Sequence, residues 1–80
     1  MKKIQVLGMG CAKCNRLYAA AEAAAQELGA PYEMEKIDDI GRIAEMGVMM
    51  TPALAVNGKV MFSARVPSVE EIKKIIAEAA

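Results

Sequence analysis

The sequence predicts a small α/β domain built on a four-stranded mixed sheet with three helices, in the order strand, helix, strand, helix, strand, strand, helix. Three observations lead there. The chain has 80 residues, 55% of them hydrophobic, which is enough for one core and too short for two, so residues 1–80 are read as a single domain. Along the chain, short apolar runs alternate with stretches whose apolar residues recur at helical spacing. Late in the chain, Asn57-Gly58 separates two apolar runs and is the residue pair favoured in type I′ hairpin turns.

Residues 2–7, with Ile4, Val6 and Leu7, read as the first strand, and Gly8-Met9-Gly10 breaks it. A helix over about 12–28 follows from the spacing of Leu17, Tyr18, Ala21, Ala24, Ala25 and Leu28. Its alanines raise helix propensity. Gly29 suits the position just past its end, and Pro31 prevents continuation. A strand over 32–37 fits between that stop and Asp38-Asp39. Either aspartate can cap a short helix over about 39–46, with Ile40, Ile43 and Ala44 on one face and Gly47 ending it. Ala53–Val56 and Lys59–Ser63 flank the hairpin turn. The last helix opens on Ser68-Val69-Glu70-Glu71, a capping box, and continues through Ile72, Ile75, Ile76 and Ala79. Strand–helix–strand units favour parallel pairing, and the hairpin adds an antiparallel pair.

Composition removes several function classes. Ten basic and ten acidic residues balance, and aromatics are 4% with no Trp. Neither a nucleic-acid partner nor a membrane-surface patch is expected, because both need a positive excess and base stacking needs aromatic rings. No segment approaches the about 18 consecutive apolar residues of a membrane helix. Met1-Lys2-Lys3 imitates the start of a signal peptide, but the apolar run Ile4–Leu7 is shorter than the about 7–15 residues such a segment needs. The chain is therefore expected to be mature and cytoplasmic, where a stable structural disulfide is disfavoured. The absence of His removes the commonest general base and metal ligand. Chemistry is left to the two cysteines.

Cys11-Ala12-Lys13-Cys14 follows a strand and a glycine-rich turn and opens a helix. A helix N-terminus offers unpaired N–H groups and the positive end of the macrodipole, both of which stabilise a thiolate. A cysteine so placed can fall well below its free pKa of about 8.5. Two intervening residues put the second cysteine one turn along on the same side, within reach of a disulfide. Cys11 is the exposed attacker and Cys14 the more buried resolver in this reading. The plain alternative is two small hydrophobes filling a helix start. A third reading is metal: residues 8–14 resemble the Gly-Met-Thr-Cys-x-x-Cys loop of heavy-metal-associated domains, which carry Cu(I) between two thiolates. That makes Cu(I) transport through Cys11 and Cys14 the alternative function. Structural zinc is disfavoured because only two such ligands exist. The metal-associated order is strand, helix, strand, strand, helix, strand, whereas here the hairpin comes late and the chain closes on a helix.

Thr51-Pro52 stands just before the Ala53–Val56 strand. With the cysteine pair upstream, the sequence resembles the thioredoxin superfamily, and most closely its small redox-active disulfide proteins from archaea and bacteria. The resemblance spans nearly the whole chain: the cysteine pair after the first strand, Gly-Val-Met-Met-Thr-Pro at 47–52, Asn57-Gly58-Lys59, and Arg65-Val66-Pro67-Ser68-Val69-Glu70-Glu71. It departs from ordinary thioredoxins in lacking the Trp and Pro of Trp-Cys-Gly-Pro-Cys, the extra N-terminal strand and helix, and an evidently buried acid near the resolving thiol.

The resemblance implies a minimal thioredoxin-like fold and a protein disulfide oxidoreductase. Cys11 and Cys14 would be catalytic, and a cis peptide at Thr51-Pro52 would face them. Thr51, Pro52 and Met50 would shape the substrate groove. No cofactor or metal is implied. The partners would be proteins with disulfides and a thioredoxin-reductase-like electron donor, met by a monomer. A redox sensor using the same bridge is a weaker option. Met9 and Met50 are candidate contact residues, while Met49 is expected to pack. Tyr18 is expected in the core, Arg65 and Lys59 as solvated charges, and Glu33 and Glu35 as strand-edge charges.

Overall fold

The computed structural model describes residues 2–8, 12–29 and 31–79. The elements are β1 (Lys2–Leu7), α1 (Ala12–Leu28), β2 (Tyr32–Ile37), α2 (Ile40–Glu45), β3 (Ala53–Val56), β4 (Lys59–Ser63) and α3 (Val69–Glu78). They form a four-stranded mixed sheet, ordered β2-β1-β3-β4, with three helices. β1 and β2 pair in parallel, with Leu7 beside Ile37. β3 is antiparallel to both β1 and β4.

Only the first strand–helix–strand unit gives a parallel pair. The length of the helices explains why. The 17 residues of α1 rise about 26 Å, enough to carry the chain back along β1. The six residues of α2 rise only about 9 Å, against about 20 Å for a six-residue strand. The chain cannot return to the start of β2. β3 therefore begins at the end of the sheet where β2 finished and runs antiparallel beside β1.

The central strands are buried on both faces. Alternation sends Ile4 and Val6 of β1, with Leu54 and Val56 of β3, into a core shared with Leu17, Ala21, Ala24 and Ala25 of α1 and Ile72 and Ile76 of α3. Tyr18, half-buried, packs at its margin. Leu7, Ile37, Ala53 and Ala55 point the other way and meet Ile43 of α2 and Val48. In the hairpin, Asn57 and Gly58 have φ of 54° and 85°, the left-handed pair that a type I′ turn requires. A bulge at Leu54/Ala55 leaves Met61 as the extra residue of β4.

Both assigned caps form, with a difference at each. Asp39 is the N-cap of α2, its side chain accepting from Gly41 N at 2.8 Å. Only Ile43 of that helix is buried, however, and Ile40 and Ala44 face solvent. The helix is too short to bury more than one position. At α3 the Ser68 hydroxyl accepts from Glu71 N at 3.2 Å, while the Glu71 carboxylate pairs with Arg65 at 2.8 Å. At the other end of α3, Lys2 of β1 donates to the carbonyls of Ile76 and Ala77, supplying the positive charge that a helix C-terminus favours.

Candidate functional site

One end of the sheet gathers the chemistry. β1 and β2 finish there, β3 begins there, and β4 ends there. Gly8 extends the ladder one step past β1, donating its N–H to the Ile37 carbonyl at 2.9 Å. Ala64 does the same past β4, donating to the Pro52 carbonyl at 2.7 Å. The chain then turns from β1 into α1, whose first turn contains Lys13 and Cys14 and no acidic residue. No carboxylate there offsets the positive end of the helix.

Cys14 is fully buried, at 0% exposure. It lies against Gly8. A Cβ on Gly8 would stand 2.9 Å from Cys14 Cβ and 3.9 Å from Thr51 Cβ. The first turn of α1 and the segment before β3 therefore converge on the end of β1, although Cys14 and Thr51 are 37 positions apart in the sequence. The Thr51–Pro52 peptide is cis; Thr51 is exposed and Pro52 buried. Cys11, together with Met9 and Gly10, lies outside the described residues.

Comparison with known proteins identifies the family. The family described as "Thioredoxin domain" matches residues 2–77. The chain belongs to that family. It is 47% identical to a thioredoxin of Methanothermobacter thermautotrophicus over 77 residues, covering 96% of this chain and all of the relative. It is 42% identical to a thioredoxin of Methanocaldococcus jannaschii over 74 residues, covering 92% of this chain and 85% of the relative.

In this thioredoxin-domain chain the segments at this end of the sheet leave several apolar side chains exposed. Among the described residues, the large hydrophobic side chains left exposed are Ile40, Met49, Met50 and Val66. Each sits in a segment that begins or ends at the site end of the sheet. Met50, the assigned contact residue, is 62% exposed, and Met49 is 97% exposed. Met49 was expected to pack and does not. Val48 beside it is buried under α2, and the next two residues project from the surface before Thr51.

Sequence patterning missed three further features. Arg65 is not simply solvated: its guanidinium lies 5.1 Å from the Phe62 ring centroid and pairs with Glu71 at 2.8 Å. Ala64, which holds the Pro52 carbonyl, has a φ of 64°, a region costly for a residue with a Cβ. Glu35 is more than an edge charge. It accepts from the Gln5 amide at 3.0 Å and pairs with Lys3 and Arg42, each at 3.4 Å. The Gln5 hydrogen bond is the largest influence on its carboxyl; burial opposes it, and Lys3 and then Arg42 add to the lowering, so the carboxyl is held below the usual range. Among the described residues, no group of three or more His, Cys, Asp and Glu side chains is arranged to hold a metal ion, and no helix is long and apolar enough to cross a membrane.

Proposed function

We propose that this thioredoxin-domain chain is a thiol–disulfide oxidoreductase acting on protein disulfides through Cys11 and Cys14. The observation that carries the reading is that buried Cys14 and Thr51 both border Gly8 at the end of β1, in a chain whose relatives are thioredoxins. The Cys11 thiolate attacks one sulfur of a target disulfide. A bond from Cys11 to that sulfur forms, the target S–S bond breaks, and the second target sulfur leaves as a thiolate. The Cys14 thiolate then attacks the Cys11 sulfur and releases the first target sulfur. The domain ends as the Cys11–Cys14 disulfide, and the target has gained two electrons and two protons. A thioredoxin-reductase-like donor restores the dithiol.

The roles divide by placement. Cys11 directly precedes Ala12 in the sequence, and the first turn of α1, which opens at Ala12, holds no carboxylate, which favours a thiolate at position 11. Cys14 is shielded from bulky external disulfides and suits the intramolecular step. The Thr51 backbone offers its N–H and carbonyl to an extended target segment, as in strand-addition recognition. Pro52 shapes the floor beneath that segment, and Met50 supplies an adaptable apolar contact. The domain works as a cytoplasmic monomer, without cofactor, nucleic acid or membrane. The element order, in which the β3–β4 hairpin follows a second helix instead of following β2 directly, favours this reading over Cu(I) transport.

Two substitutions test it. Cys11→Ser abolishes reduction of a protein disulfide, and Cys14→Ser accumulates a mixed disulfide with the target. Disulfide reduction that survives Cys11→Ser, or a trap that forms only through Cys14, would overturn the assignment.

A further inference from the structure

The geometry points to Gly8 as a positioning residue: the space where its side chain would stand is the seat of the Cys14 sulfur, and that seat reserves Cys14 for the second step of exchange. The inference rests on the exchange reading above and assigns Gly8 a part in it.

Glycine at position 8 is not explained by its backbone. Gly29, Gly47 and Gly58 have φ of 72°, 82° and 85°, and nothing lies within 4 Å of where their Cβ would be. Gly8 is the reverse. Its φ is not in the left-handed region, but a Cβ there would overlap Cys14 Sγ and lie 2.9 Å from Cys14 Cβ. Packed carbon atoms normally sit about 3.5–4.0 Å apart. Space, not conformation, requires the glycine.

Neither backbone can retreat far. Gly8 is held by its hydrogen bond to Ile37. α1 is fixed by Leu17, Ala21 and Ala24, all fully buried. Thr51 borders the same space at 3.9 Å. Rotation of Cys14 can clear its sulfur, but the 2.9 Å approach of the two Cβ atoms yields only to a small shift of the first turn of α1, so a methyl on residue 8 displaces the Cys14 sulfur from its seat. The first step, attack by Cys11 on the external disulfide, does not use Cys14. The second does: the Cys14 thiolate bonds to the Cys11 sulfur, the Cys11–target bond breaks, and its electron pair leaves on the target sulfur, which takes up a proton. A misplacement on the order of 1 Å can slow such an intramolecular step by about 100-fold.

The test uses the full chain and Ellman's reagent, whose two thionitrobenzoate groups are released one after the other as Cys11 and then Cys14 react. In Gly8→Ala the first release stays within about twofold of the parent rate, and the second slows by about tenfold or more. Both releases unchanged, or both slowed alike, would overturn the role of Gly8. A parent protein that gives one release and no second overturns the exchange reading itself, and this role with it. If Gly8→Ala does not fold, Gly8→Ala combined with Cys14→Gly decides the matter, since it removes both atoms that the new methyl would meet. Recovery of the fold supports the seat, and continued failure to fold overturns it.

Discussion

On the α1–α3 face of the sheet, Ile4, Val6, Leu54 and Val56 join Leu17, Ala21, Ala24, Ala25, Ile72 and Ile76 in one continuous core. On the α2 face the buried set is smaller: Leu7, Ile37, Ile43, Val48, Ala53 and Ala55. Further along that face the apolar cover gives way to Gln5, 7% exposed, and the Glu35 cluster with Lys3 and Arg42. The difference separates two tasks. The thick face holds the domain together. The thin face ends in the segment Met49–Pro52, anchored through Val48 and Ile43, which leaves the side chains of Met49, Met50 and Thr51 available to a partner.

The largest expected effect comes from the thick face. Leu54 is fully buried there, so Leu54→Ala should cost about 2–5 kcal/mol. That is a large share of the stability of so small a domain, and chemical denaturation measures it. Ile43→Ala removes the one buried side chain of α2. It should cost about 2 kcal/mol, the low end for such truncations, while slowing protein-disulfide reduction more than it slows Cys11 alkylation. An Ile43 cost equal to that of Leu54 would erase the contrast between the faces.

Ala64→Gly should stabilise by about 0.5–1 kcal/mol. Glycine relieves a left-handed residue of about 1–2 kcal/mol, and its greater freedom in the unfolded chain takes part of that back. Loss of stability in this variant would mean that the Ala64 methyl packs usefully against the site.

The smallest effect belongs to Glu35. Its carboxyl is held below the usual range by Gln5 first, then Lys3 and Arg42. A carboxylate with a lowered folded-state pKa stabilises fully above its unfolded value, about 4.3, and loses that contribution as pH falls through the folded value. Parent and Glu35→Gln should therefore differ in stability at neutral pH and converge as pH drops below about 4. A difference that persists unchanged into acid would show that Glu35 acts by shape rather than charge.

Much of this architecture was legible in the sequence because it is written locally. Asn57-Gly58 specifies a turn through its own conformational preferences, and Ser68 caps α3 through a neighbour three residues away. Periodicity placed Ile40, Ile43 and Ala44 on one side of α2. Periodicity does not say how much of a side is covered, and only Ile43 is buried. Met49 failed for a related reason: an adaptable side chain packs only if something stands over it. Arg65 meets Phe62 and Glu71, and Gly8 meets Cys14 and Thr51. Those contacts depend on where strands end in space, which spacing along the chain does not encode. The cysteine pair and Thr51-Pro52 stood out by residue type and order; the glycine between them in space did not.

The most direct test of the central claim is an equilibrium redox titration of the full chain in dithiothreitol buffers of known potential, read by thiol labelling and mass. The account predicts one reversible transition in which Cys11 and Cys14 lose their labels together and the chain loses two hydrogens, with about 30 mV for each tenfold change in ratio, as a two-electron couple requires. Persistent one-thiol adducts with the buffer, or independent oxidation of the two cysteines, would contradict it.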